Sequence, residues 1–155
     1  MIPVLYTERL TLRGFKPEDF PVYAGYYQDP EFARFITVAH QPVPANDAWR
    51  NFAYLHGHWA LRGYGFWAVE RKADGAYLGH IGLNNPEGWP GLEVGWSLGR
   101  PHWGQGYASE AASRVLDYGF LTQPVDALIS CIDPENLPRR RSPCASARPG
   151  APPPR

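Results

Sequence analysis

The pattern of apolar and polar positions changes along the chain and divides it into three zones. In the first, about residues 7–63, residues 8–13 alternate polar and apolar side chains, which is typical of an edge strand. Residues 16–19 and 45–47 resemble helix starts, with carboxylates in the first turn. The second of these helices has apolar residues at spacings of three, three and four, and we expect them in the core. They are Trp49, Phe52, Leu55 and Trp59.

The second zone, about residues 65–98, has the pattern of an antiparallel sheet. Asp74 and Gly75 form a dipeptide that is typical of a tight turn between strands. Residues 84–91 are rich in Asn, Gly and Pro and predict a loop. The three strands are predicted at residues 66–71, 77–83 and 92–98.

The third zone is predicted to form a glycine-rich loop, a helix and a strand. The loop covers residues 99–106 and the helix about residues 107–120, with small residues on one face that allow close packing on a sheet. Residues 127–132 are a short apolar run, consistent with a buried parallel strand, and Cys131 is expected in the core. The small-residue face consists of Ala108, Ala111, Ala112, Val115 and Gly119.

The chain has 155 residues, 44% of them hydrophobic, which is enough for one domain. All 15 acidic residues lie at or before Glu135, so residues 1–138 hold 10 basic and 15 acidic residues, a net charge of −5. This acidic body argues against nucleic acid as the main partner. No apolar run approaches the ~20 residues that span a bilayer, and the N-terminus does not resemble a secretory signal, so we expect a cytoplasmic protein without a membrane partner. Cys131 and Cys144 form neither a disulfide framework nor a metal set, and no metal is expected.

Residues 139–155 differ from the rest in composition. They include five Arg and five Pro but no large apolar residue, so they cannot bury enough surface to offset an ordering entropy of about 1–2 kcal/mol per residue. We predict a domain over residues 1–138 and a disordered tail over residues 139–155. The abrupt change also fits out-of-frame translation of GC-rich DNA, a hypothesis that resequencing of the coding DNA tests. A nucleic-acid contact of the tail is the alternative, and it predicts an affinity that falls steeply with salt.

The stretch of residues 103–111 indicates chemistry. Gly104 and Gly106 permit positive φ, and successive N–H groups of such a loop can converge on an anion at a helix N-terminus. Gly106 is followed by Tyr107 and Ala108 rather than by Lys and Ser or Thr, so the loop is not a P-loop. Ser109 stands where a dinucleotide fingerprint needs glycine. The pattern therefore favours a phosphate or pyrophosphate outside those two classes, with a plain strand-to-helix turn as the alternative.

The order of these elements, together with four motifs, resembles the GNAT superfamily of acyl-CoA-dependent N-acetyltransferases, in particular the branch that contains the ribosomal-protein N-terminal acetyltransferases. The motifs lie at residues 8–13, 93–98, 103–111 and 133–136, and the resemblance covers about residues 7–138. It implies an α/β (α+β) fold, with a mixed, mostly antiparallel sheet flanked by helices. The family continues with a further helix and two more strands, which we expect to be missing here. The chain is then expected to be poorly stable and weakly active or inactive.

The resemblance implies that acetyl-CoA is the acyl donor and that backbone amides of the glycine loop bind its pyrophosphate. Pro101 occupies the first position of the family's loop pattern and Arg100 stands one residue early, so a side-chain contact is in question there. The preceding strand is implied to bond the pantetheine arm through its main chain. Asn136 matches an asparagine that contacts CoA, or it is only a turn residue after Pro134. The implied coenzyme-binding residues are Trp96, Ser97, Leu98, Gly104, Gln105, Gly106, Tyr107, Ala108 and Asn136.

Glu93 occupies the position where many members of the family have a general base. Its place beside Val94 provides partial desolvation, which suits a carboxylate that takes a proton from an amine, directly or through a water. The alternative is a solvent-facing strand residue. No cysteine lies in the motif region as an acyl carrier, so direct attack in a ternary complex is expected. The resemblance also places aromatic candidates near the acceptor: Tyr26, Tyr27, Phe32 and Trp89.

The acceptor is expected to be a primary amine, either a small molecule or a protein N-terminus, and an oligomer is compatible with the sequence. The alternative in another class is a non-catalytic CoA-binding remnant or a defective truncated product. His56 and His58 stand at i and i+2, which do not face each other on a helix, so we expect a surface or partly buried role rather than a metal pair.

Overall fold

The computed structural model describes residues 1–132 and Asn136, so the predicted tail and the boundary at residue 138 lie outside the described residues. Short 3₁₀ turns at Pro17–Asp19 and Arg100–His102 precede the first helix and the glycine loop. The strands are β1 (Leu5–Tyr6), β2 (Leu10–Arg13), β3 (Phe66–Arg71), β4 (Tyr77–Asn84) and β5 (Glu93–Leu98). The α-helices are α1 (Phe20–Gln28), α2 (Pro30–Ile36), α3 (Ala45–Arg62) and α4 (Tyr107–Thr122).

The strands form one antiparallel sheet in sequence order, from β1 to β5. Neighbouring residues of β3 point to opposite faces, so Trp67 joins one apolar cluster and Phe66 the other. The first cluster packs under α4, and the second is formed largely with α1, α2 and α3. Because helices cover both faces, every residue of β4 is buried. This sheet flanked by helices is the fold class that the sequence predicts.

Two expectations about the margins of the sheet are wrong. The segment predicted as an edge strand forms β2, which is internal because Leu5 of β1 pairs with Leu12. The run at residues 127–132 forms, within the described part of the chain, one parallel bridge between Ile129 and Glu93 rather than a strand. Cys131, expected in the core, is exposed, since it lies beyond this bridge and residues 130–132 are assigned to no strand.

The helices differ from the sequence expectation in two places. α2 was not predicted, since seven residues give too short a pattern; Pro30 begins it and Asp29 caps it by accepting the Glu31 N–H at 3.0 Å. Trp49, expected in the core, is 52% exposed because it lies at the rim of the apolar cluster. Its ring is nearly perpendicular to that of Phe20, with the two ring centres 5.0 Å apart. The other three apolar residues of the α3 face are buried as predicted: Phe52, Leu55 and Trp59.

Arg13, at the end of β2, joins three elements through a buried ion pair. Its Nη1 and Nη2 donate to the Asp19 carboxylate at 2.8 and 2.9 Å, and its Nε donates to Glu70 at 2.6 Å. The hydrogen bond to Asp19 raises the pKa of the Arg13 guanidinium against the opposing effect of burial, so the group stays charged. Asp19 is only 4% exposed, and a carboxylate buried this deeply is unfavourable without its partner. The pair therefore fixes the turn before α1 against β2 and β3.

The β3–β4 pairing leaves no room for a side chain at Gly82. A Cβ there would lie 2.3 Å from the Gly65 carbonyl oxygen and 2.3 Å from the Cα of Phe66. Both neighbours are backbone atoms at the start of β3, and backbone atoms cannot rotate away as a side chain does. Glycine at this position is therefore required by the close approach of the two segments.

We expect alanine to have opposite effects at two glycines. Gly82→Ala lowers the free energy of unfolding by about 1–3 kcal/mol because the methyl group overlaps backbone. Gly57→Ala, within α3 and with no neighbouring atom within 4 Å of its Cβ position, raises it by about 0.5–1 kcal/mol because alanine favours the helix. Denaturant unfolding of both variants measures the difference. A Gly82→Ala variant as stable as the parent chain would contradict the packing constraint.

Candidate functional site

The glycine loop joins the end of β5 to α4 in a conformation that requires its glycines. Gly104 and Gly106 have φ angles of 72° and 79°, in the left-handed region that residues with a Cβ rarely adopt. Gly106 is the N-cap of α4, and no side chain caps the first turn of this helix. The N-terminal turn therefore depends on a partner from outside the helix to satisfy its donors.

The backbone N–H groups of this turn are available to such a partner. Among residues 1–132 and Asn136, no N–H from Gly104 to Ser109 donates to another protein group, and the first to do so is that of Glu110, to the Gly106 carbonyl at 3.1 Å. Consecutive N–H groups at a left-handed glycine turn, with the positive end of a helix dipole behind them, attract an anion. Their donors suit a phosphate or pyrophosphate group.

Contacts with α1 and α2 hold the preceding turn in place. Tyr26 packs against Gly99, where a Cβ would lie 2.3 Å from the ring, and its hydroxyl is 3.0 Å from Nε2 of His102. Arg100 donates through Nε to Asp29 at 2.8 Å, so its charge is paired with the N-cap of α2. Arg100, the basic residue one position early in the sequence pattern, is therefore engaged away from the glycines.

Arg9, the residue before β2, contacts the loop itself. Its Nη1 donates to the Gln105 carbonyl at 2.9 Å, while its Nε and its backbone N–H donate to the Glu110 carboxylate at 2.7 and 2.8 Å. Its guanidinium carbon lies 4.4 Å from the centre of the Tyr107 ring. Burial raises the pKa of Glu110, but hydrogen bonds from Thr7 and Arg9 outweigh it and hold this pKa below its ordinary value. Glu110 is therefore a firmly ionised partner of Arg9.

Glu93 lies at the opposite end of β5 and accepts three hydrogen bonds. It is 6% exposed, which excludes the solvent-facing alternative. One carboxylate oxygen accepts from Asn84 Nδ2 at 3.1 Å and from Trp89 Nε1 at 2.9 Å, and the other accepts from the Cys131 backbone N–H at 3.1 Å. Tyr54 donates in turn to Asn84 Oδ1 at 2.5 Å. Burial raises the pKa of the Tyr54 hydroxyl, and the Glu93 charge raises it further, so Tyr54 stays a donor.

β5 provides the path between the loop and Glu93. The Val94 N–H donates to the Ile129 carbonyl at 2.8 Å, which marks the edge of β5 that faces away from β4. Since successive residues of a strand alternate, the main chain of Trp96 and Leu98 faces the same edge. At about 3.3 Å per residue, β5 separates the loop from Glu93 by about 17 Å.

The remaining predicted site residues lie in different surroundings. Ser97 is buried, with 8% of its surface exposed, and it pairs across the sheet with His80. Asn136 is also buried, with 9% of its surface exposed. The residues on both sides of it lie outside the described part of the chain. Tyr27 and Phe32 are buried in the core between α1, α2 and α3, so of the four aromatic acceptor candidates only Tyr26 and Trp89 are partly exposed.

The two histidines of α3 lie in different environments. His58 is buried; its Nε2 accepts the Asn85 N–H at 3.2 Å, so its Nδ1 carries the proton that it donates to the Tyr64 carbonyl at 2.7 Å. His56 is exposed. Within the described residues, no three His, Cys, Asp or Glu side chains gather as metal ligands, and no helix combines the length and apolar character needed to cross a membrane.

Sequence reasoning missed three residues of this site: Arg9, Asn84 and Tyr54. Arg9 lies in the motif at residues 8–13, but its contact with Glu110 joins distant parts of the chain and leaves no periodic pattern. Asn84 was assigned to the loop after β4, whereas strand register places it directly opposite Glu93. That register joins β4 to β5 across the loop between them, so no local pattern of the sequence identifies Asn84.

Known proteins are similar to this chain in sequence and fold. Residues 9–142 match the profile described as acetyltransferase (GNAT) domain. The uncharacterized N-acetyltransferase p20 of Bacillus licheniformis is 34% identical over 137 residues, which are 86% of this chain and 75% of that protein. The crystal structure of an acetyltransferase from Agrobacterium tumefaciens has a TM-score of 0.80 at 34% identity, over 90% of this chain and 79% of that one. The self-immunity acetyltransferase MccE, solved in complex with acetyl-CoA and AMP, has a similar fold at 12% identity, with a TM-score of 0.71 over 88% and 78% of the two chains.

We expect Glu93→Gln to lower the free energy of unfolding by about 1–3 kcal/mol, because the new NH₂ group faces an N–H donor that loses its acceptor. Denaturant unfolding measures this loss. Glu87→Gln is the matched control: Glu87 is fully exposed in the neighbouring loop, and its change stays within about 0.5 kcal/mol. Equal stability of Glu93→Gln and the parent chain would show that the three contacts contribute nothing.

Proposed function

Since the chain belongs to the GNAT acetyltransferase family, we propose that it moves the acetyl group of acetyl-CoA to a primary amine by direct attack in a ternary complex. The observation that supports this proposal most strongly is the row of backbone N–H groups from Gly104 to Ser109, which have no protein acceptor within the described residues. The glycine loop, after the C-terminal end of β5, supports the proposal of an acyl-CoA donor. Glu93, at the other end of β5, supports the proposal of an amine acceptor.

The loop fits the pyrophosphate of CoA through its backbone. The helix dipole contributes roughly half a positive charge, and the left-handed turns at Gly104 and Gly106 expose the donors without a Cβ in the way. Arg100, held by Asp29, adds no charge at the glycines. We propose that residues 104–108 bind the pyrophosphate by N–H donation, in place of the side-chain contact that Pro101 does not provide.

The outward edge of β5 suits the pantetheine arm. This arm is an extended chain with amide groups, and such a chain pairs with the main chain of a strand edge as an added strand does. We propose that the main chain of Trp96 and Leu98 lines this edge of the coenzyme site and that Asn136 contributes from the segment after Ile129. The main chain of Ser97 faces β4, where it pairs with His80, so it does not belong to this edge. The reacting end of the donor then lies toward Glu93.

Glu93 is the proposed general base. The acceptor must reach the donor as a free amine, and a carboxylate at the start of β5 takes up its proton. Because both carboxylate oxygens already accept N–H bonds, we propose that the proton passes through a water rather than directly. Acetyl-CoA supplies the acyl group: the C–N bond forms, the C–S bond breaks, and the second proton that the nitrogen loses after attack ends on sulfur, so CoA leaves as the thiol. Glu93 returns the first proton to solvent through the water. Asn84 and Trp89 keep the carboxylate fixed during this exchange.

The acceptor is proposed as a primary amine, either a protein N-terminus or a small molecule. Trp89 is the candidate that borders it, because it is aromatic, partly exposed and next to Glu93. Tyr26, the other partly exposed candidate, packs against Gly99 at the loop end of β5, away from Glu93. Trp89 also donates to Glu93 at 2.9 Å, which places its ring beside the proposed base.

Titration with acetyl-CoA followed by addition of an amine tests the proposed function. We expect saturable binding in calorimetry and then release of one free thiol per acetylated amine, detected with a thiol reagent. Binding without thiol release would leave a coenzyme-binding module and contradict transfer. No binding would contradict the donor as well.

We expect Gly106→Val to weaken binding of CoA by at least about tenfold, because a β-branched residue disfavours the left-handed φ and turns the N–H groups away. Gly75→Val in the β3–β4 turn is the control for backbone strain, since Gly75 has a φ of 72° and open space at its Cβ, whereas a Cβ at Gly106 lies 3.3 Å from Nη2 of Arg9. Calorimetry gives the affinity, and thermal unfolding shows that both variants carry similar strain. Unchanged affinity in folded Gly106→Val would contradict the assignment of the loop.

A further inference from the structure

Arg9 has no role in the proposed function, yet it touches the glycine loop and the first turn of α4 together. We propose that Arg9 is a positioning residue for the donor: it orients the Gln105–Gly106 peptide and neutralises Glu110, so that the loop presents its N–H groups to a pyrophosphate. This inference rests on the proposed function, since it assigns a residue to the same site.

The orientation of the peptide follows from the hydrogen bond of Arg9 to Gln105. Nη1 of Arg9 holds the Gln105 carbonyl oxygen at 2.9 Å. In a trans peptide the carbonyl and the following N–H point in opposite directions, and the described chain has no cis peptide. The Gly106 N–H therefore points away from Arg9. Without Arg9 this peptide can rotate, because glycine allows both orientations.

The charge of Glu110 makes the second contribution. A carboxylate in the first turn of α4 is favourable for the helix, but it repels an anion that binds at the same turn. Arg9 donates to both oxygens of Glu110, at 2.8 Å from its backbone and 2.7 Å from Nε. The pair is only partly exposed, with 42% of the Arg9 side chain and 19% of the Glu110 side chain accessible. The neutral pair leaves the N–H groups and the dipole as the field that a pyrophosphate meets.

The planar guanidinium is required for these contacts to occur together. Nε binds Glu110 while Nη1 binds Gln105, and the plane lies over the Tyr107 ring at 4.4 Å. The backbone of Arg9 is itself held, since its carbonyl accepts the Lys72 N–H at 2.9 Å. A lysine keeps the charge but has one nitrogen, which cannot satisfy Glu110 and Gln105 in the same geometry.

The test compares two donors on the full chain: CoA or acetyl-CoA, and S-acetyl-pantetheine, which lacks the pyrophosphate. For Arg9→Gln we expect a Kd for CoA about tenfold higher by calorimetry and an unchanged KM for S-acetyl-pantetheine. Arg9→Lys should lose less, and it replaces Arg9→Gln in the test if that variant does not fold. The double variant Arg9→Gln with Glu110→Gln should recover part of the affinity, because the repelling charge is gone.

Arg62→Gln is the matched control, since Arg62 is also 42% exposed and paired with a carboxylate, Glu87, away from the loop. It should leave the Kd for CoA unchanged. Equal CoA affinity of Arg9→Gln and the parent chain would overturn the inference, and so would an equal loss for both donors, which indicates a structural role alone. Full recovery in the double variant would overturn the peptide-orientation step. If the parent chain itself does not bind CoA, the proposed function fails and the inference fails with it.

Discussion

The arrangement of this domain depends on two sets of ion pairs, formed by one arginine at each end of β2 with carboxylates of other segments. Apolar contacts between sheet and helices are not directional, whereas a guanidinium fixes its carboxylate in distance and plane. Arg13 binds Asp19 and Glu70 on the side of α1, and Arg9 binds Glu110 of α4. A strand of four residues therefore relates helices that cover opposite faces of the sheet. Because Asp19 is almost fully buried, loss of its contact with Arg13 would leave an unpaired buried carboxylate and destabilise the fold.

The candidate site divides its work between backbone and side chains. At the α4 end of β5 the donors are backbone N–H groups, so side-chain identity matters mainly at the glycines and at Arg9. At the other end one side chain, Glu93, gathers N–H donors from three parts of the chain. Binding an anion needs several weak donors, while moving a proton needs one group, and the proposed roles of the two ends of β5 follow this difference.

Local patterns predicted much of the fold. The predicted strand at residues 66–71 coincides with β3, and α3 begins at the predicted Ala45, because alternation and helical spacing are properties of neighbouring residues. β1 has two residues and α2 has seven, which is too few for a period to show. Trp49 has the spacing of a core residue, but the width of the buried face of α3 depends on α1, which spacing does not report.

The candidate site was predictable where one segment forms it. Gly104 to Ala108 lie together because the loop is continuous in sequence. The family resemblance pointed to Glu93, whose role as a base stays a prediction. The Arg9–Glu110 contact joins segments from the two ends of the domain, so it depends on the complete sheet. Cys131 stands in an apolar run, yet it is exposed, because its surroundings depend on segments distant in sequence. These errors share one cause: the deciding contact is distant in sequence.

The uncapped first turn of α4 has a consequence for how the domain responds to its surroundings. N–H groups that lack acceptors leave this end of the helix as a site of early local opening, where fraying exposes the segment to proteases. An anion bound there occupies only the closed state, and mass action then shifts the opening equilibrium in proportion to its concentration. Under the proposed function, the resistance of the chain to heat and to digestion should therefore rise with the concentration of a phosphate-bearing ligand.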